Sequence, residues 1–150
     1  MKKNALLAAI LVTMVLGAHA READIIIYGA TPAGYAAAIQ AKRMGRSVIV
    51  IEPSSHVGGL TTGGLGQTDI GNKEAFGGIA REFYRDVKSY YLKPENWRQE
   101  KMSDYMPDGQ CANSCGNDTM WTFEPSAAKA VLADWEQKNK LEIIRNAKLN

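Results

Sequence analysis

Three short stretches of the chain are apolar without alternation. "DIIIYG" (24–29) closes on glycine, "SVIVIE" (47–52) closes on a carboxylate, and "LEIIRN" (141–146) lies close to the end of the chain. Unbroken apolar runs of this length, bounded by turn residues, read as buried strands of a parallel sheet. Between the first two runs the period is helical. Over 32–44, Ala33, Ala37, Ala41 and Met44 fall on one stripe, and Gly45 suits the position just past a helix end. Small side chains on that stripe let the helix lie close to a sheet. Strand, helix and strand in this order predict a right-handed parallel crossover.

The pattern changes after 57. Residues 58–78 hold eight glycines in 21 positions with no helical period, and read as loop. Ile79, Phe83, Val87 and Tyr91 then mark an amphipathic helix that stops near Pro94. Residues 94–120 are polar and irregular, an excursion from the core. The segment 124–140 is a further helix, with Pro125 in its first turn and Ala128, Val131, Leu132 and Trp135 on its apolar face. No internal repeat or low-complexity tract interrupts this order. The elements describe an α/β protein, a Rossmann-like parallel sheet with flanking helices.

Composition adds bounds. At 150 residues, with 45% hydrophobic and 23% charged residues, the chain is one globular domain at most. Residues 1–20 read as a secretory signal peptide: Lys2 and Lys3 form a basic start, Ala5–Val15 an apolar core, and Ala18-His19-Ala20 a processing site. The apolar run is short for a membrane span of about 20 residues. The expectation is therefore an exported protein, periplasmic or secreted, with no stable membrane anchor after cleavage. Cleavage lowers the basic count from 18 to 16, against 16 acidic residues, so the mature chain is formally neutral. No basic patch with interleaved aromatics appears, which excludes nucleic acid as a partner. Export also bears on Cys111 and Cys115. They lie in the polar stretch "PDGQCANSCGND", and an oxidising compartment suits a small disulfide loop. Zinc would need about four ligands, and the only nearby candidates are these two thiols, so no metal site is expected.

The candidate chemistry lies in "YGATPAGYAAA" (28–38). Gly29 and Gly34 frame a turn between strand and helix, where the dinucleotide pattern is G-x-G-x-x-G. Thr31 occupies the middle position, followed by Pro32. Thr is a good N-cap and Pro is favoured at the first helical position. A residue before Pro is pushed into the extended region where an N-cap belongs. Thr31 then caps the N–H of Ala33 or Gly34 and leaves other N–H groups for a pyrophosphate at the helix N-terminus. Gly34 permits close helix–strand contact. Glu52 ends the second strand, 18 residues after Gly34. An acid at that distance and strand end accepts from a ribose 2′-OH and repels a 2′-phosphate, which argues against NADP.

The glycine-rich loop separates the remaining candidates. An NAD site has no need of it, whereas a longer cofactor benefits from close backbone approach. In "DIIIYGATPAG", "VIVIE" and "HVGGLTTGGLG" the chain resembles the N-terminal FAD-binding segment of glutathione-reductase-type flavoproteins. More closely, it resembles the FAD-dependent oxidoreductase family with secreted bacterial members; "FGGIAREFY" and "WTFEPSAAKAVL" extend the likeness. The resemblance implies a fold of FAD/NAD(P)-binding type, FAD as cofactor, oxidoreductase activity and a small-molecule substrate. It places Gly29, Ala30, Thr31, Pro32, Ala33 and Gly34 near the FAD pyrophosphate and Glu52 at the adenosine ribose. Gly58, Gly59 and Thr61 border ribose and pyrophosphate, and Gly63 and Gly64 lie near the isoalloxazine. Members of this family are several times longer, and a C-terminal Gly-Asp segment completes the flavin site. Nothing here matches it, so the expectation is a fold incomplete at its C-terminus, with 21–150 the N-terminal part of the FAD-binding domain. The alternatives are an NAD-binding α/β domain and a truncated, non-catalytic fragment. No catalytic residue is assigned. His56, Asp69, Trp97 and Trp121 carry weaker claims to a site, and Trp135 is expected in the core.

Overall fold

The apolar runs pair as expected, but only the run at 48–52 is largely buried: Ile25, Ile26 and Tyr28 are exposed, as are Glu142 and Arg145, because nothing among the described residues covers those positions. The computed structural model describes residues 20–68, 71–102 and 118–149. Strands β1 (Ile25–Tyr28), β2 (Val48–Glu52) and β3 (Glu142–Arg145) form a parallel sheet in the order β1-β2-β3. Ile27 lies opposite Val50, which in turn lies opposite Ile143, and Glu52 lies opposite Arg145. This is the 3-2-1 half of a doubly wound sheet.

Helix α1 (Pro32–Arg43) crosses from β1 to β2. Its buried face is Gly34, Tyr35, Ala38, Ile39 and Ala41. The stripe expected from the alanines is therefore corrected: Ala33, Ala37 and Met44 are exposed, and only Ala41 of that set is buried. The reason is local. Gly34 must face β1, because a Cβ there would stand 2.1 Å from the Gly29 carbonyl oxygen, and this contact fixes the helix rotation. Lys42 and Arg43 lie in its last turn, where cations suit the helix dipole.

The expectation of loop throughout 58–78 is also corrected. Residues Gly59–Gly63 form a short helix, α2, and Lys73–Ala75 one 3-10 turn capped by the Asn72 side chain. Helix α3 (Gly78–Tyr91) buries Phe83, Val87 and Tyr91, and helix α4 (Pro125–Lys138) buries Ala128, Val131, Leu132 and Trp135, as their patterns require. These helices share one core with Val48, Val50 and α1, with Ile27 and Ile143 packed against it. The Trp135 indole N–H donates to Asp86 at 2.6 Å, and Arg43 pairs with Glu82, so α3 is tied to both α4 and α1.

One pairing was not expected. Gly66–Thr68 runs antiparallel to Trp121–Phe123: the Phe123 N–H donates to the Gly66 carbonyl at 2.9 Å and the Thr68 N–H to the Trp121 carbonyl at 3.1 Å. A Cβ at Gly66 would stand 1.8 Å from the Phe123 oxygen, so this approach needs glycine. Both flanks of the 94–120 excursion are fastened to α3, through Trp97 Nε1 to the Tyr91 carbonyl and Met120 N–H to the Tyr84 carbonyl. Residues 1–19 of the expected signal peptide (1–20), Asp69, and Cys111 with Cys115 lie outside the described residues. Among the described residues, no helix is long and apolar enough to cross a membrane.

Candidate functional site

The ends of β1 and β2 and the start of α1 meet at one point, and Ala30 is at its centre. Gly29 leaves β1 at φ +104°, a conformation that favours glycine. Its N–H still donates to the Ile51 carbonyl at 2.7 Å. The buried Ala30 then uses both backbone groups. Its N–H donates to Glu52 Oε2 at 2.8 Å, and its carbonyl accepts from the Gly58 N–H at 2.7 Å. Strand exit, acid and glycine turn are thus joined through a single residue.

Thr31 is the N-cap of α1, extended at φ −77° and ψ 171°, and its Oγ1 accepts from the Gly34 N–H at 3.2 Å. Pro32 follows at the first helical position. Of the two capping partners open from sequence, the structure takes Gly34. The N–H inventory of the turn follows. Gly29, Ala30 and Gly34 are engaged, and Pro32 has no N–H. Among the described residues, the Thr31 and Ala33 N–H groups have no intrachain partner, and both residues are exposed. They lie at the positive end of a twelve-residue helix.

Glu52 is 8% exposed. Its Oε1 accepts from the Ser54 hydroxyl at 2.7 Å and the Ser54 N–H at 2.9 Å, while Oε2 accepts from Ala30. The two Ser54 hydrogen bonds, with a smaller effect from the Ala30 N–H, hold the carboxyl below its ordinary range. A carboxylate offers about four acceptor positions. Three are filled, so one lone pair, on Oε2, remains for an outside donor.

The glycine turn packs onto this arrangement. Gly58 and Gly59 have φ +84° and +50°. A Cβ at Gly59 would lie 3.4 Å from Pro32 Cδ and 3.9 Å from Thr31 Cα, and one at Gly58 would collide with Thr62 and Leu132. Thr61 borders Pro32 and Tyr35 in a small apolar cavity of about 150 Å³. Gly63 and Gly64 close α2. A Cβ at Gly64 would have open space around it, and one at Gly63 would lie 3.8 Å from His56 Nε2. Residues 29–34, Glu52, Gly58, Gly59 and Thr61 are therefore brought together, and Gly63 and Gly64 lie at the far end of α2.

Of the weaker candidates, Trp135 is in the core and Trp97 is packed against it. Trp121 is fully buried against Tyr84 and Phe76, its Nε1 without a hydrogen-bond partner, as is Thr119 Oγ1. Sequence reasoning missed Ser54 as the clamp on Glu52. The available signal was a hydroxyl two residues past a strand-end acid, where it hydrogen-bonds locally.

A strand–turn–helix unit with a capped helix N-terminus and an acid at the end of the second strand is the arrangement of an α/β dinucleotide-binding fold. The chain matches the model of the FAD-dependent oxidoreductase family over residues 24–150 and belongs to that family. Similar solved structures include THI4 of Thermovibrio ammonificans (16% identity, TM-score 0.46, 95% of this chain and 45% of that one). AlpK is another (15%, 0.44, 88% and 25%), as is an oxidised steroid monooxygenase bound to NADP (16%, 0.41, 83% and 19%). The chain thus spans less than half the length of each. No curated protein matches it.

Proposed function

We propose that this chain forms the nucleotide-cradling segment of an exported FAD-dependent oxidoreductase acting on a small molecule. The observation that carries the cofactor geometry is Glu52. Its carboxylate is drawn against the α1 turn by Ala30 and clamped by Ser54, with one acceptor position left on Oε2. That position suits one adenosine ribose hydroxyl. The unpartnered N–H groups of Thr31 and Ala33 suit the pyrophosphate. Gly58, Gly59 and Thr61 would border both, with Gly63 and Gly64 toward the isoalloxazine as the family resemblance implies. When bound, the flavin would supply the redox chemistry. The residues of this cradle would bind and orient it. Export is supported by the basic start, apolar core and Ala-x-Ala site of 1–20.

The test is an FAD titration of the protein and its Glu52→Lys variant, followed by flavin fluorescence. Lysine removes the ribose acceptor and the clamp's anion together, so most of the affinity should go. Equal FAD affinity in the two proteins would remove Glu52 from the site.

A further inference from the structure

We propose that His56 is a positioning residue for the cofactor cradle, its Nε2–H fixing the glycine turn against the first turn of α1; this rests on the FAD reading above. The ring nitrogen lies 3.1 Å from the Gly59 carbonyl and 3.1 Å from Thr62 Oγ1. The Thr62 hydroxyl is buried and has one proton, which it donates to the Val57 carbonyl. Only its lone pairs are then left to face His56. Both neighbours of Nε2 are acceptors, so Nε2 carries the proton and donates to both.

The other end of His56 is tied to the acid. Its backbone N–H donates to Ser54 Oγ at 3.1 Å, and that hydroxyl donates onward to Glu52 Oε1 at 2.7 Å. One residue thus links the Glu52 clamp to the glycine turn. The link has work to do because Gly58 and Gly59 are both in left-handed backbone. Glycine reaches that region as readily as others, so nothing in its own preferences selects this arrangement. The ring hydrogen bond to the Gly59 carbonyl selects it, and Gly59 is the residue that packs on Pro32 and Thr31 beside the unpartnered N–H groups. His56 itself is exposed, so it contributes this orientation without being part of the core.

The experiment compares His56→Ala, His56→Asn and His56→Gln in FAD and ADP titrations, with melting curves on each. ADP carries the ribose and pyrophosphate without the flavin. The Gln amide nitrogen reaches about as far as Nε2 and donates; the Asn amide stops short, near Nδ1. Loss of one such hydrogen bond should weaken both ligands about three- to tenfold in the Ala and Asn variants, with Gln within about twofold of the parent. Melting temperatures should stay close to the parent, which separates positioning from folding. Parent-like binding by His56→Ala, or Gln binding no better than Ala, would overturn the proposal. Glu52→Lys in the same series distinguishes the two readings. If it loses FAD while His56→Ala does not, only His56 is wrong; if it keeps FAD, the cradle assignment itself fails.

Discussion

Thr31 stands where the dinucleotide turn ordinarily has glycine, and the structure turns that departure into a measurable quantity. Its hydroxyl caps Gly34 at 3.2 Å, and its backbone is extended at φ −77°, a conformation any residue adopts. If the hydroxyl is what matters, Thr31→Ser keeps the cap and should be nearly silent. Thr31→Ala removes it and should cost about 1 kcal/mol, the typical loss of a capping oxygen, and Thr31→Gly only a few tenths. For a domain of this size, 1 kcal/mol lowers the melting temperature by roughly 2–4 °C. Flavin affinity should fall modestly in the Ala variant, because the N–H groups at positions 31 and 33 lose part of their orientation. The rival account makes Thr31 an obstruction whose Cβ keeps the ligand away. Glycine should then tighten FAD binding about tenfold, or ~1.4 kcal/mol. Melting curves and flavin titrations on the three variants decide it. Tighter binding by Gly, with Ala as stable as the parent, refutes the capping argument.

Three further outcomes are expected. Gly34→Ala places a Cβ 2.1 Å from the Gly29 oxygen, so α1 must lift from β1; a loss of at least ~1–3 kcal/mol should appear in the melt, and an unchanged melting temperature would deny the close approach. Glu52→Gln leaves one oxygen to meet donors that now approach two, at a cost of about 1–3 kcal/mol near neutral pH. Because the folded carboxyl titrates below its ordinary value of 4.5, its contribution is full above that value and is lost as pH falls through the lowered one. The parent's advantage over Gln should therefore shrink below about pH 4.5, and a gap that stays constant down to pH 2 would contradict the clamp. Exported material should begin at Arg21, with Cys111 and Cys115 resisting alkylation until reduced; N-terminal sequencing that returns Met1 would end the export reading.

The strands and three longer helices were legible because each has a one-dimensional signal. The runs at 24–29, 47–52 and 141–146 contain the three strands of the described residues, and Phe83, Val87 and Tyr91 state the buried face of α3 outright. The rotation of α1 was not legible. Its alanines sit at a helical period on two faces, and the deciding fact is a contact between Gly34 and Gly29 that composition does not encode. Helix α2 was hidden for a related reason, since Gly-Leu-Thr-Thr-Gly has poor helix propensity. It is held by tertiary contacts: Thr62 is buried, and its hydroxyl is bound to Val57. In the site, the turn and Glu52 were readable from spacing. Ser54 and His56 were not given their roles, because each acts through a partner brought close only by the fold. Gly66 is a similar case, its need set by Phe123, which lies far along the chain.

Gly58 puts the cradle's glycine requirement to a test with an internal control. Gly45 and Gly58 share a left-handed backbone, at φ +76° and +84°. Around Gly45 a Cβ would meet nothing within 4 Å, whereas at Gly58 it would lie 2.4 Å from Thr62 Cγ2 and 2.7 Å from Leu132 Cδ1. Alanine in left-handed backbone costs roughly 1–2 kcal/mol, and the stiffer unfolded chain returns about 0.4–1 of it. Gly45→Ala should therefore lower stability by about 0–1.6 kcal/mol, with flavin binding untouched. Gly58→Ala carries the same backbone cost plus an overpacking cost of about 1–3 kcal/mol, since both obstructing groups are in a packed region. It should also weaken FAD binding, because its N–H is the one that holds the Ala30 carbonyl. The difference between the two variants isolates the packing from the backbone strain. Equal losses in the two, with FAD affinity unchanged in both, would mean that the turn at Gly58 is set by local conformation alone and that its contact with Ala30 does not shape the cofactor site.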